Sequence, residues 1–145
     1  MKYTLAHVTH EAVEHIGGIG TVLHGFMTSP VYQQHVRRSI LVGPTSTQVA
    51  MEPESRLGDQ GKVIYSSIDG IDSVNLGTRL RPIESAFNVR IVYGTRAYLD
   101  PLTRHEGEAE VLLIDVFGVN HDRLNVFKLR LWETFGLDSS RYEGE

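Results

Sequence analysis

The stretch that most constrains this chain is Val111-Leu112-Leu113-Ile114-Asp115-Val116, an apolar run broken by a single acid. A strand with one wet face alternates apolar and polar side chains. A strand apolar on both faces needs cover on both, the environment of a parallel strand inside an α/β sheet. Downstream the period changes. Leu124, Phe127, Leu131 and Phe135 recur at helical spacing, with Asn120 placed to cap the amino end and Gly136 to stop the carboxyl end.

The same alternation runs through the rest of the chain. Tyr3 to Val8 reads as a first strand, followed by a loop ending in Gly17-Gly18-Ile19-Gly20. Thr21 to Met27 reads as a helix, with Val22, Leu23 and Phe26 on one face and Ser29-Pro30 as its breaker. Ser39 to Val42, Lys62 to Ile68 and Val89 to Tyr93 read as strands, and Pro82 to Phe87 as a short helix with proline in its first turn. Two polar stretches, Thr45 to Gly61 and Asp100 to Glu110, read as loops. The expectation is an α/β fold, a Rossmann-like three-layer sandwich with a mostly parallel sheet.

Composition narrows the function classes. With 14 basic against 18 acidic residues and a net charge of −4, nothing favours nucleic acid or an anionic membrane as partner. There is no cysteine, which removes disulfide scaffolds and thiolate metal sites. No apolar run approaches the ~20 residues that span a bilayer, and the first residues are too polar for a secretory signal, so a cytoplasmic location is expected.

Two clusters could carry chemistry. Gly17-Gly18-Ile19-Gly20 lies between a strand and a helix, where glycine allows close approach to a ligand and helix-start N–H groups favour an anion such as a diphosphate. The alternative is an ordinary tight turn. It departs from the dinucleotide pattern G-x-G-x-x-G, because Leu23 stands at the third glycine, so neither a nicotinamide nor a flavin cofactor is expected. His7, His10, Glu11, Glu14 and His15 crowd together, but the zinc pattern His-Glu-x-x-His places Glu14 where its second histidine belongs. No metal is expected there; these residues read as the lining of a polar cleft.

Three collinear blocks carry a resemblance. Glu11-Ala12-Val13-Glu14-His15-Ile16-Gly17-Gly18-Ile19-Gly20-Thr21-Val22-Leu23 resembles the donor-diphosphate loop E-V-x-x-K-V-G-G-I-x-T-V-L of animal and fungal glycogen synthases. Leu41-Val42-Gly43-Pro44 with Gln48 resembles L-V-G-P-x-x-x-Q, and Asp115-Val116 with Leu124, Phe127-Lys128 and Leu131-Trp132-Glu133 is similar to D-V followed by L-x-x-W-K-x-x-L-W-D. The resemblance implies the incomplete amino-terminal domain, residues 1–145, of a two-domain GT-B glycosyltransferase. Such an enzyme transfers glucose from UDP- or ADP-glucose to an α-1,4-glucan with retention, and its second, donor-binding domain is absent from these residues. It implies substrate-binding roles for Gly17, Gly18, His15 and Glu11, and no measurable transfer by the isolated chain. His15 stands where the family has lysine, and a mostly neutral histidine is a weaker counter-charge to phosphate. The alternatives are a non-catalytic nucleotide-sugar or glucan-binding module, and another GT-B enzyme with a different acceptor.

Overall fold

A computed structural model describes residues 2–14, 16–45 and 52–142. The elements follow in the order β1 (Tyr3–Val8), α1 (Ile19–Thr28), α2 (Pro30–His35), β2 (Val36–Pro44), β3 (Gly61–Ser66), β4 (Ile71–Asp72), α3 (Gly77–Phe87), β5 (Arg90–Leu99), β6 (Glu106–Asp115) and α4 (His121–Phe135). The chain is an α/β protein with one six-stranded sheet in the order β1-β2-β6-β5-β3-β4.

The sheet is mixed, where the sequence led us to expect a mostly parallel one. β1, β2 and β6 run parallel, while β5 pairs antiparallel with both β6 and β3, and β3 pairs antiparallel with β4. The physical reason lies in residues 100–110. Apart from Leu102, that segment has no large apolar side chain, so it reads as loop. Yet β6 begins at Glu106, and the residues it turns toward the core there are the small Gly107 and Ala109. Only a short turn then separates β5 from β6, which makes a hairpin, and hairpin strands are antiparallel.

Register places Leu41, Val92, Ala109, Val111 and Leu113 on one face of the sheet. Ala12, Leu57 and the α1 residues Leu23 and Met27 pack onto that face and complete the core. Tyr32 of α2 joins the same side, its hydroxyl within 2.9 Å of both Ser39 Oγ and His7 Nε2. The opposite face is covered by α3 over β3 and β5. There the buried Glu84 accepts hydrogen bonds from Tyr65 Oη at 2.7 Å and Ile91 N at 2.8 Å. Helices therefore flank both faces of the sheet.

Cover on that second face is partial. Leu112 and Ile114 are half-buried and Val8 is 79% exposed, so the apolar run of β6 is sealed on one side only. The cap and stop of α4 are as its sequence suggests: Asn120 accepts from Arg123 N, and Gly136 ends the helix with φ of 67°. Its apolar side chains nevertheless stay open, Phe127, Trp132 and Phe135 among them.

Candidate functional site

In a sheet with parallel strands, side chains and loops converge at the carboxyl ends, where the connections leave room for a ligand. Here the carboxyl ends of β1, β2 and β6 point the same way, and a crevice of about 240 Å³ opens there. It is lined by His10, Val13, Glu14 and Ile16 from the β1–α1 connection, Pro44 and Thr45 from the end of β2, Leu113 from β6, and Arg56. A larger, more open groove of about 980 Å³ lies at the opposite ends of these strands, bordered by Lys2, Val36 and Glu106.

The β1–α1 connection is laid directly on β2. Thr9 N donates to Val42 O at 2.8 Å, and Ala12 is buried. Gly43 makes this approach possible: a Cβ there would sit 2.3 Å from Thr9 O and 2.9 Å from Ala12 Cβ, closer than atoms can pack. Farther along, Arg96 donates to Val13 O at 2.9 Å and holds the loop from beneath. Gly43 of the Val-Gly-Pro block thus has a packing role that brings the glycine bend to the crevice.

Glu11 is the residue around which the bend is built. The residue is only 4% exposed, and its carboxylate accepts from Gly20 N at 2.9 Å. That hydrogen bond, and after it the N–H groups of Gly17 and Ile16 and the neighbouring His10, hold the Glu11 carboxyl below its usual range against the opposing effect of burial. Gly17 is the second close approach, since a Cβ there would meet Glu11 Oε1 at 3.0 Å. Gly18 is exposed and open to solvent.

The expected site residues fall out as follows. Glu11 and Gly17 are brought together, and Gly18 lies at the exposed crest of the bend as the residue preceding α1. Glu11 is no surface carboxylate; it is buried beneath the bend. His15 and Gln48 lie outside the described residues. α1 begins at Ile19, earlier than expected, so Gly20 sits in its first turn with an N–H already engaged by Glu11.

Arg56 and Thr45 were not singled out by the sequence. Arg56 forms a two-pronged ion pair with Asp69, Nε to Oδ2 at 2.5 Å and Nη2 to Oδ1 at 2.7 Å, with both side chains largely buried. The guanidinium holds the Asp69 carboxyl below its ordinary range. Thr45 Oγ1 is buried and has no hydrogen-bond partner among the described residues. A lone threonine or an arginine within a polar loop carries no periodic signal, so only the fold could bring them here. Asp115, in the third matching block, is tied to Arg90 and accepts from Phe117 N at 3.1 Å, closing the β6 end.

Among the described residues no group of three histidine or acidic side chains is placed to hold a metal ion. Among the described residues, no helix is long and apolar enough to cross a membrane. Comparison with known protein families, curated proteins and solved structures returns no significant match.

Proposed function

We propose that this chain forms the amino-terminal wall of the transfer cleft in a glucosyltransferase similar to glycogen synthase. In the whole enzyme it would handle a nucleotide diphosphate glucose and an α-glucan. The observation that carries the reading is the position of the glycine bend: it leads into α1 beside a crevice at the carboxyl ends of three parallel strands, with Ile16 in the crevice wall. Of the blocks that resemble the family, the first forms the bend, Leu41 to Pro44 of the second run up to the crevice at Pro44, and Asp115 of the third closes the neighbouring end of β6.

A second, donor-binding domain belongs to this reading, because a crevice of about 240 Å³ falls below the roughly 300–1,000 Å³ that enclose drug-sized ligands. The uncovered apolar side chains of α4 are consistent with additional structure in the whole enzyme. A non-catalytic sugar-binding module is the second reading. It is favoured by the pairing of Arg56 with Asp69, which leaves that cation little freedom to follow charge developing on a leaving group.

Calorimetry and amide chemical shifts test the proposal, with UDP, ADP, UDP-glucose, ADP-glucose and maltooligosaccharides as titrants. Saturable shifts at Ile16 to Gly20 and at Thr45 are expected with a sugar nucleotide or a maltooligosaccharide. No response from any of the five overturns it. Glucosyl transfer by the isolated chain should be undetectable; robust turnover would remove the need for a second domain.

A further inference from the structure

An N–H-rich bend at a helix start is an anion site only while its donors are free. In this chain the inner donors already hold an anion. Glu11 Oε2 accepts from Gly20 N at 2.9 Å, Oε1 lies where a Gly17 Cβ would touch it, and the carboxylate is buried under the bend. An incoming phosphoryl group would therefore compete with a tethered carboxylate for the same donors and meet a like charge a few ångströms away.

The other charges around the crevice do not reverse this. Arg56, the one arginine among the described lining residues, is committed to Asp69, and Arg96 beneath the loop donates to Val13 O. His10 Nε2 lies 3.6 Å from Glu11 Oε1, and Glu14 adds another carboxylate to the lining. What the crevice does offer is Thr45 Oγ1, buried and without a partner among the described residues, beside the apolar Val13, Ile16, Pro44 and Leu113. A hydroxyl beside apolar walls suits a neutral polyol: the hydroxyl pairs with ligand hydroxyls and the walls take the C–H faces of a ring.

We propose that Glu11 sets the charge class of the ligand at this crevice, which accepts a neutral glycosyl unit and turns away phosphoryl groups. The inference rests on the crevice being a ligand site, as in the preceding section, and assigns the donor diphosphate to other residues. Glu11 acts here as a positioning and specificity-determining residue, because its carboxylate is engaged by Gly20 N and, unlike Thr45, is not among the described residues that line the crevice.

The test titrates inorganic pyrophosphate and, separately, maltotriose into the wild-type chain, Glu11→Gln and Glu11→Ala, reading the amides of Gly17, Gly18 and Gly20. Glutamine keeps an acceptor for Gly20 N without the charge; alanine empties the bend. The wild type should show no saturable pyrophosphate response at these amides, and removing the charge should raise pyrophosphate affinity by about tenfold or more. Maltotriose affinity should change much less in Glu11→Gln. A saturable pyrophosphate response at the wild-type bend overturns the inference, and the wild-type titration gives that answer whatever the stability of the variants. A folded Glu11→Gln that gains no pyrophosphate affinity overturns it equally. Loss of the maltotriose response alone counts against the carbohydrate reading of the crevice, while the pyrophosphate arm judges charge exclusion separately.

Discussion

Gly43→Ala isolates the contact that carries the glycine bend to the crevice. Ala is sterically allowed in an extended strand, so the backbone itself offers no objection to the change. In the unfolded chain the substitution would even help, by about 0.4–1 kcal/mol. The opposing effect is larger. The new methyl would lie 2.3 Å from Thr9 O, a backbone atom that cannot rotate away, and 2.9 Å from Ala12 Cβ. Overpacking of this kind costs about 1–3 kcal/mol. Moving the loop also lengthens the 2.8 Å bond from Thr9 N to Val42 O, at a cost of about 1 kcal/mol. The balance is a net destabilisation of about 1–3 kcal/mol, roughly 3–10 °C in Tm for a chain this size. Urea denaturation gives the first number and a thermal scan the second. Hydrogen exchange at Thr9 locates the damage, since its amide should lose protection while those of β5 and β6 keep theirs. A variant within 0.5 kcal/mol of wild type, with the Thr9 amide still protected, would refute the claim that Gly43 is there for loop approach.

Glu84→Ala strands the donors Tyr65 Oη and Ile91 N beneath α3 and should cost about 2–4 kcal/mol in urea denaturation, with Glu84→Gln costing less. Asp69 has a lowered carboxyl pKa because of Arg56, so its contribution to stability is complete above the ordinary aspartate value and lost as pH falls through the lowered one. Unfolding measured across the acid range should show that loss, and Arg56→Met should flatten it. Burial depresses the His7 pKa, so His7 should titrate below the ordinary value of about 6.5 in a proton NMR pH series. The stability it confers is present above 6.5 and disappears as pH drops through the depressed value.

The elements legible in the sequence are those whose signals are local. Asn120 and Gly136 bracket α4 because a cap and a left-handed stop are chemistry of single residues. Ser29-Pro30 shows the limit of that reading. As a breaker it ends α1, yet the same pair starts α2, Ser29 Oγ accepting from Tyr32 N while Pro30 takes the first helical position. Pro82 marks α3 but not its start. The helix begins at Gly77, where Asp72 accepts from both Leu76 N and Gly77 N, a cap delivered from the preceding strand β4.

The candidate site divides along the same line. That a glycine-rich turn would join a strand to a helix is written in residues 17–20, because chain order alone places it at the carboxyl end of β1. Whether its N–H groups are free is not written there, since that depends on a side chain six residues upstream turning inward. Glu11 was visible as a carboxylate near the bend, and a carboxylate in a polar segment is ordinarily solvated. What buries it is the collapse of Ala12 onto Gly43, a contact between segments about thirty residues apart that brings the preceding residue beneath the bend. The charge of the site therefore follows from packing at β2, and Gly43 bears on ligand preference although it lies outside the crevice lining. If that coupling holds, displacing the loop with Gly43→Ala should release Glu11 from Gly20 N and make the bend more receptive to pyrophosphate. A packing change would then reproduce, in weaker form, what removing the carboxylate does directly.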